Sequence, residues 1–146
     1  TSPTAIAVDE SSTGIALLDS ANKRVDIYPN RLANGSTSAP TNFSVSSQAT
    51  LPTGLAISNR TGNYLVLDST VKGTNPNKYV TLYIYAGSSK AFLRSYDIVV
   101  GTGGLSPDNA STENNFKIAL DNRRNILYLI SPSLGKIFAL SMPEYL

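Results

Sequence analysis

One pattern occurs three times in this chain, as PTAIAVDESSTGIALLDS from Pro3, PTGLAISNRTGNYLVLDS from Pro52 and FKIALDNRRNILYLIS from Phe116. In each copy an apolar run closes at Asp9, Ser58 or Asp121, and a second apolar run closes ten residues further on, at Asp19, Asp68 or Ser131. Short runs rich in Ile, Val, Leu and Tyr, broken by Ser-Thr-Gly, Arg-Thr-Gly or Arg-Arg-Asn, read as β-hairpins rather than helices. The runs are apolar almost without interruption, which predicts sheets covered on both faces by similar sheets.

Each unit then offers a third strand. Arg24-Val25-Asp26-Ile27-Tyr28 alternates so that Val25 and Ile27 share a face, and Lys136-Ile137-Phe138-Ala139-Leu140 stands at the same offset in the third unit. In the second unit the equivalent Tyr79 to Tyr85 is delayed behind the polar insertion KGTNPNK. A fourth strand follows as Asn42-Phe43-Ser44-Val45 and as Phe92 to Val100, whereas the third unit shows none before the sequence ends. Repeat spacings of 49 residues from Asp9 to Ser58 and 63 from Ser58 to Asp121 fit four-stranded units with one inserted loop and one long linker. The expected fold is all-β: three antiparallel blades of propeller type over 3–46, 52–100 and 115–142, the last incomplete, with a Gly, Pro, Ser and Asn linker at 101–113.

The first unit resembles a blade of the NHL and YncE-like class of β-propellers. Pro3, Ile6, Ala7, Val8, Asp9, Gly14, Asp19, Asn22, Arg24 and Val25 follow the blade phrase, as do Pro52, Gly54, Leu55, Ala56, Gly62, Leu65 and Asp68 in the second unit. The third keeps Ile118, Ala119, Asp121, Leu127 and Tyr128 but has Phe116 after Asn115 where the others have Pro and Thr. The resemblance implies half or a fragment of a propeller, whose ligands or partners meet the loops around the central channel. Rings of this kind have four to eight blades. Three blades therefore predict that the apolar sides of the first and last are covered by a second copy, by further blades missing from this sequence, or by another protein.

Composition restricts the chemistry. The chain has neither His nor Cys, so the usual neutral-pH general base and the thiolate nucleophile are both absent. Catalysis would fall to carboxylates and lysines, so we expect a binding or assembly role with no catalytic residues and no cofactor. The alternative is a lactonase-like or lyase-like enzyme that holds calcium in the channel. Asp9, Asp19, Asp68 and Asp121 are the metal-ligand candidates, since carboxylates suit a hard cation. The same side chains are equally suited to capping hairpin turns.

With 12 basic and 10 acidic residues, net charge +2, and no basic cluster beyond Lys23-Arg24 and Arg123-Arg124, a nucleic-acid footprint is not expected. No apolar run approaches the roughly 20 residues of a membrane-spanning helix, so no membrane insertion is expected. A weakly charged surface rich in Ser, Thr and Asn favours an extracellular or cell-surface location. Formal N-glycosylation triplets begin at Asn34, Asn42, Asn59 and Asn109. The candidate partner surface is the pair of long polar segments, through Lys72, Asn75, Asn77, Lys78 and Asp108, with tolerated loop length as the plainer reading.

Overall fold

The computed structural model describes residues 2–10, 14–29, 39–74, 77–100 and 114–143. Among them every regular element is a strand: β1 Pro3–Asp9, β2 Gly14–Asp19, β3 Arg24–Tyr28, β4 Thr41–Ser44, β5 Pro52–Ile57, β6 Tyr64–Lys72, β7 Tyr79–Tyr85, β8 Phe92–Val99, β9 Lys117–Asp121, β10 Ile126–Ser131 and β11 Lys136–Ser141. They form three antiparallel meanders, β1-β2-β3-β4, β5-β6-β7-β8 and β9-β10-β11. These are blades 1, 2 and 3.

The constant ten-residue offset of the sequence is a constant register. Val8 faces Ile15, Ile57 faces Tyr64 and Leu120 faces Leu127, so the first hairpin of every blade closes at the same level. Gly62 and Asn125, four residues past the equivalent positions Ser58 and Asp121, both adopt positive φ, at 71° and 56°. Lys23 and Gly135 do the same four residues past β2 and β10, at 49° and 60°. Glycine and asparagine tolerate this left-handed geometry, whereas Lys23 adopts it against its own preference.

Directly opposed residues of antiparallel strands share a face, which divides each blade into two sides. One side of blade 1 carries Ala5, Ala7, Ala16, Leu18, Val25 and Phe43, and it packs on Leu55, Ile57, Tyr64, Val66, Tyr83 and Tyr85 of blade 2. The Phe43 ring lies 5.3 Å from both the Tyr64 and Tyr85 rings, so the tyrosines of this seam act in packing. Blade 2 turns its opposite side, with Ala56, Leu65, Leu67, Leu82 and Ile84, to Ile118, Leu127 and Leu129 of blade 3. Blade 2 is thus covered on both sides, and all six residues of β5 are buried. β1, β5 and β9 lie side by side as the inner strands, with β1 against β5 and β5 against β9.

Close approach at the second seam requires a glycine. A Cβ on Gly54 would lie 2.9 Å from Ile118 Cγ1 and 3.2 Å from the Ile118 backbone nitrogen.

Candidate functional site

The four candidate aspartates are divided between the two rims of the blades. Asp19 and Asp68 lie opposite the first residues of β1 and β5, facing Pro3 and Pro52, whereas Asp9 and Asp121 end β1 and β9 at the other rim. Five residues of β2 separate the level of Asp9 from that of Asp19, or about 17 Å at roughly 3.3 Å per residue. The four carboxylates therefore form no common site. Among the described residues no group of three or more metal-ligating Asp or Glu side chains comes together.

Three of them are occupied by turns. Asp19 accepts from the Asn22 side chain at 2.8 Å and from the Asn22 backbone at 3.1 Å, and these bonds, helped by Arg24, hold its carboxyl below the usual carboxylate range. Asp121 accepts from the backbone of Arg124 and Arg123 at 3.1 and 2.9 Å, with the Arg124 guanidinium also at 3.1 Å, which lowers its pKa in the same way. Asp68 is fully buried. Burial pushes its pKa up, but bonds from Thr70, Thr50 and Leu51 together outweigh that and leave it lowered. Asp9 lines a cavity of about 330 Å³ at the seam of blades 1 and 2, beside Tyr64 and Lys90.

Of the proposed partner residues, Asn75 and Asp108 lie outside the described residues. Lys72 belongs to β6 rather than to the loop, because a register irregularity after Asp68 extends that strand. Its Nζ donates to Tyr83 Oη at 3.0 Å and Thr81 Oγ1 at 3.2 Å and lies 3.9 Å from Asp68 Oδ2. Burial opposes its charge, yet Tyr83 and Asp68 raise its pKa overall. Asn77 is exposed and Lys78 half-buried; the Lys78 carbonyl accepts from Val100 N at 2.8 Å.

The inner strands assemble two polar clusters that the candidate list lacked. Glu10, Asn59 and Asn122 each follow directly on the last residue of an inner-strand run, one per blade. Asn59 donates from Nδ2 to Glu10 Oε2 at 2.6 Å and from its backbone to Asn122 Oδ1 at 2.8 Å, and Asn122 donates to the Ile57 carbonyl at 3.2 Å. The opposite rim is tied by Lys117, whose Nζ donates to the carbonyls of Thr53 at 3.0 Å and Thr4 at 3.3 Å. Burial lowers its pKa. A hollow of about 250 Å³ lies along β1, β5 and β9, with Glu10 and Asn122 of the first cluster in its wall. The available signal was the column Glu10, Asn59, Asn122 in the aligned repeats; Lys117 stood out only as the charged member of a column otherwise holding Ala5 and Gly54.

The outer sides of blades 1 and 3 remain open. Ile6 is 62% exposed, although its counterparts Leu55 and Ile118 are 3% and 9% exposed. Ile137 is 68% exposed, whereas its counterparts Val25 and Leu82 are completely buried.

No protein-family model matches the chain, and no curated protein matches it in sequence. Among solved structures, a luciferin-regenerating enzyme is similar with a TM-score of 0.60 and 16% identity, over 92% of this chain and 38% of the enzyme. A nidogen/laminin complex chain covers 97% of this chain and 64% of its own, with 15% identity and a TM-score of 0.47. This chain thus spans less than two thirds of either. The likeness to the first establishes the fold, three antiparallel blades of a β-propeller.

Proposed function

We propose that this chain is a non-catalytic β-propeller segment, NHL- or YncE-like by its blade phrases, that acts in protein binding or assembly. The observation that carries this reading is the exposure of Ile6 and Ile137 at positions where the other blades bury their counterparts. Apolar side chains recurring at a seam position are there to be covered. The reading is supported by Asp19, Asp68 and Asp121, which spend oxygens on backbone donors of turns and blade links. Asn75, Asn77, Lys78 and Asp108 supply a secondary polar contact region. Lys72 borders that region, with its ammonium bonded to Thr81 and Tyr83 of its own blade.

Carbene footprinting tests the assembly reading. The protein is labelled in its native milieu and again after purification and high dilution. Ile6, Val8 and Ile137 are expected to be shielded in the first state and labelled in the second. Phe92 and Leu93, comparably exposed on the outer strand β8, serve as controls that label in both. Equal labelling of Ile6 and Ile137 in the two states would overturn the reading.

A further inference from the structure

The two formed seams are filled differently. At the second seam Leu65, paired with Ala56, is fully buried, whereas the equivalent position of blade 1 holds Ala16, paired with Ala7, with Gly14 two residues before it. The bulk that closes the second seam is missing from the first, and the cavity of about 330 Å³ beside Asp9, Tyr64 and Lys90 opens there. Its apolar wall includes Ile27 and Pro29 of blade 1 and Ile57 of blade 2. A cavity of this size suits a small ligand, at the lower end of the range that proteins enclose.

Lys90 is held at this cavity by its turn. The β7–β8 turn docks on the β5–β6 turn, with Gly87 N donating to Asn63 Oδ1 at 3.1 Å, and a Cβ on Gly87 would collide with the Gly62 carbonyl. Lys90 takes a positive φ of 61°, a geometry that glycine adopts with less strain. A lysine ordinarily extends into solvent. This one folds back, its Nζ donating to the Gly87 carbonyl and to Tyr64 Oη at 3.5 Å, 4.6 Å from the centre of the Tyr64 ring. Burial draws its pKa down against the pull of Asp9. An ammonium has three donors, and among the described residues Gly87 and Tyr64 take two of them. Asp9 ends β1 on blade 1, so each blade brings one charge to the cavity wall, and the two are opposite in sign.

We infer that this seam cavity binds a small zwitterion with a branched aliphatic tail, a free α-amino acid of the leucine type, with its carboxylate on Lys90, its ammonium on Asp9 and its tail against Ile27, Ile57 and Pro29. A plain carboxylate is attracted by Lys90 and repelled by Asp9, and a plain amine the reverse, so a ligand carrying both charges is the one that both groups favour. The site lies within a formed seam and does not depend on what covers the open sides.

The test is a leucine titration of the full 146-residue chain, followed through the methyl NMR signals of its isoleucines. Saturable shifts of Ile27 and Ile57 are expected, half-complete at or below about 1 mM, with Ile118 and Ile137 unmoved. 3-Methylbutanoate and 3-methylbutylamine, which each lack one of the charges, are expected to bind about tenfold more weakly, as is glycine, which lacks the tail. Lys90→Gln and Asp9→Asn are each expected to keep the circular dichroism of the parent and to lose about tenfold in leucine affinity. Their preferences should then diverge: Lys90→Gln binds 3-methylbutylamine as tightly as leucine, and Asp9→Asn does so with 3-methylbutanoate. A merely structural role for either side chain gives no such exchange, and its absence overturns the pairing of charges. Ile27 and Ile57 signals that stay unmoved at about 10 mM leucine overturn the site, and shifts confined to Ile118 do the same by placing the ligand along the inner strands. Parent binding of 3-methylbutanoate as tight as that of leucine overturns the zwitterion.

Discussion

Asp68 shows how a single repeated side chain holds a blade to its predecessor. Its two oxygens accept from Thr50 N, Leu51 N, Thr70 N and Thr70 Oγ1 at 2.8–3.1 Å, so the carboxylate organises the link that enters blade 2 as well as its own strand. Asp68→Ala leaves those donors without their acceptor, and a loss of about 3 kcal/mol is expected in urea unfolding at pH 7. The pH dependence has a definite sign. The folded-state pKa is below the ordinary carboxylate value, so the unfolded chain takes up the proton first as acid is added. The stabilisation is therefore complete above an unfolded pKa of about 3.9 and fades as pH falls toward the folded value. Parent and Asp68→Asn stabilities should accordingly converge below about pH 4. A difference between them that stays constant from pH 6 to pH 3 would mean that the carboxylate charge has no role.

At the scale of the element, the decisive feature is the fit between sheets. Gly54→Ala places a methyl group against Ile118 Cγ1 and the Ile118 backbone, neither of which yields without moving β9. Overpacking of this kind costs about 1–3 kcal/mol, so a lowered thermal midpoint with unchanged circular dichroism is expected. Gly62→Ala acts differently, because nothing lies within 4 Å of its Cβ and only the positive φ opposes the substitution. The strands themselves were legible because hairpin register and apolar periodicity are local: all eleven strands fall on runs read from the sequence, and Ile126 and Lys136 begin β10 and β11 as the offset requires. What escaped was the meeting of distant residues. Glu10, Asn59 and Asn122 are separated by whole blades in the chain, and only the curvature of neighbouring sheets brings them within hydrogen-bonding reach. Lys72 was assigned to a loop for a related reason, since the irregularity that prolongs β6 reflects pairing with Tyr79 and not the composition of the insertion. Grouping the four aspartates as one candidate set likewise missed that Asp9 and Asp121 sit at one rim and Asp19 and Asp68 at the other, because that depends on which end of the hairpin each one closes.

At the scale of the molecule, open seams become a question of concentration. Complete burial of a side chain the size of Ile6, Val8 or Ile137 contributes about 1.5–3 kcal/mol, so cover on both open sides must make several such contacts to offset a loss of translational and rotational freedom of about 4–15 kcal/mol. Where other molecules of the chain supply that cover, folding and association become linked. The expected consequence is a urea midpoint that depends on protein concentration. Between 1 and 100 µM the linkage amounts to about 2.7 kcal/mol, since each tenfold step is worth about 1.4 kcal/mol. With a slope of about 3 kcal/mol per molar urea for a pair of this size, the midpoint should rise by about 1 M. Ile6→Lys should abolish that dependence while leaving the midpoint near the dilute-limit value of the parent. A parent midpoint that is identical at 1 and 100 µM would show that three blades are stable with both outer sides in water. The exposed Ile6 and Ile137 would then have to be tolerated surface residues instead of the halves of a seam.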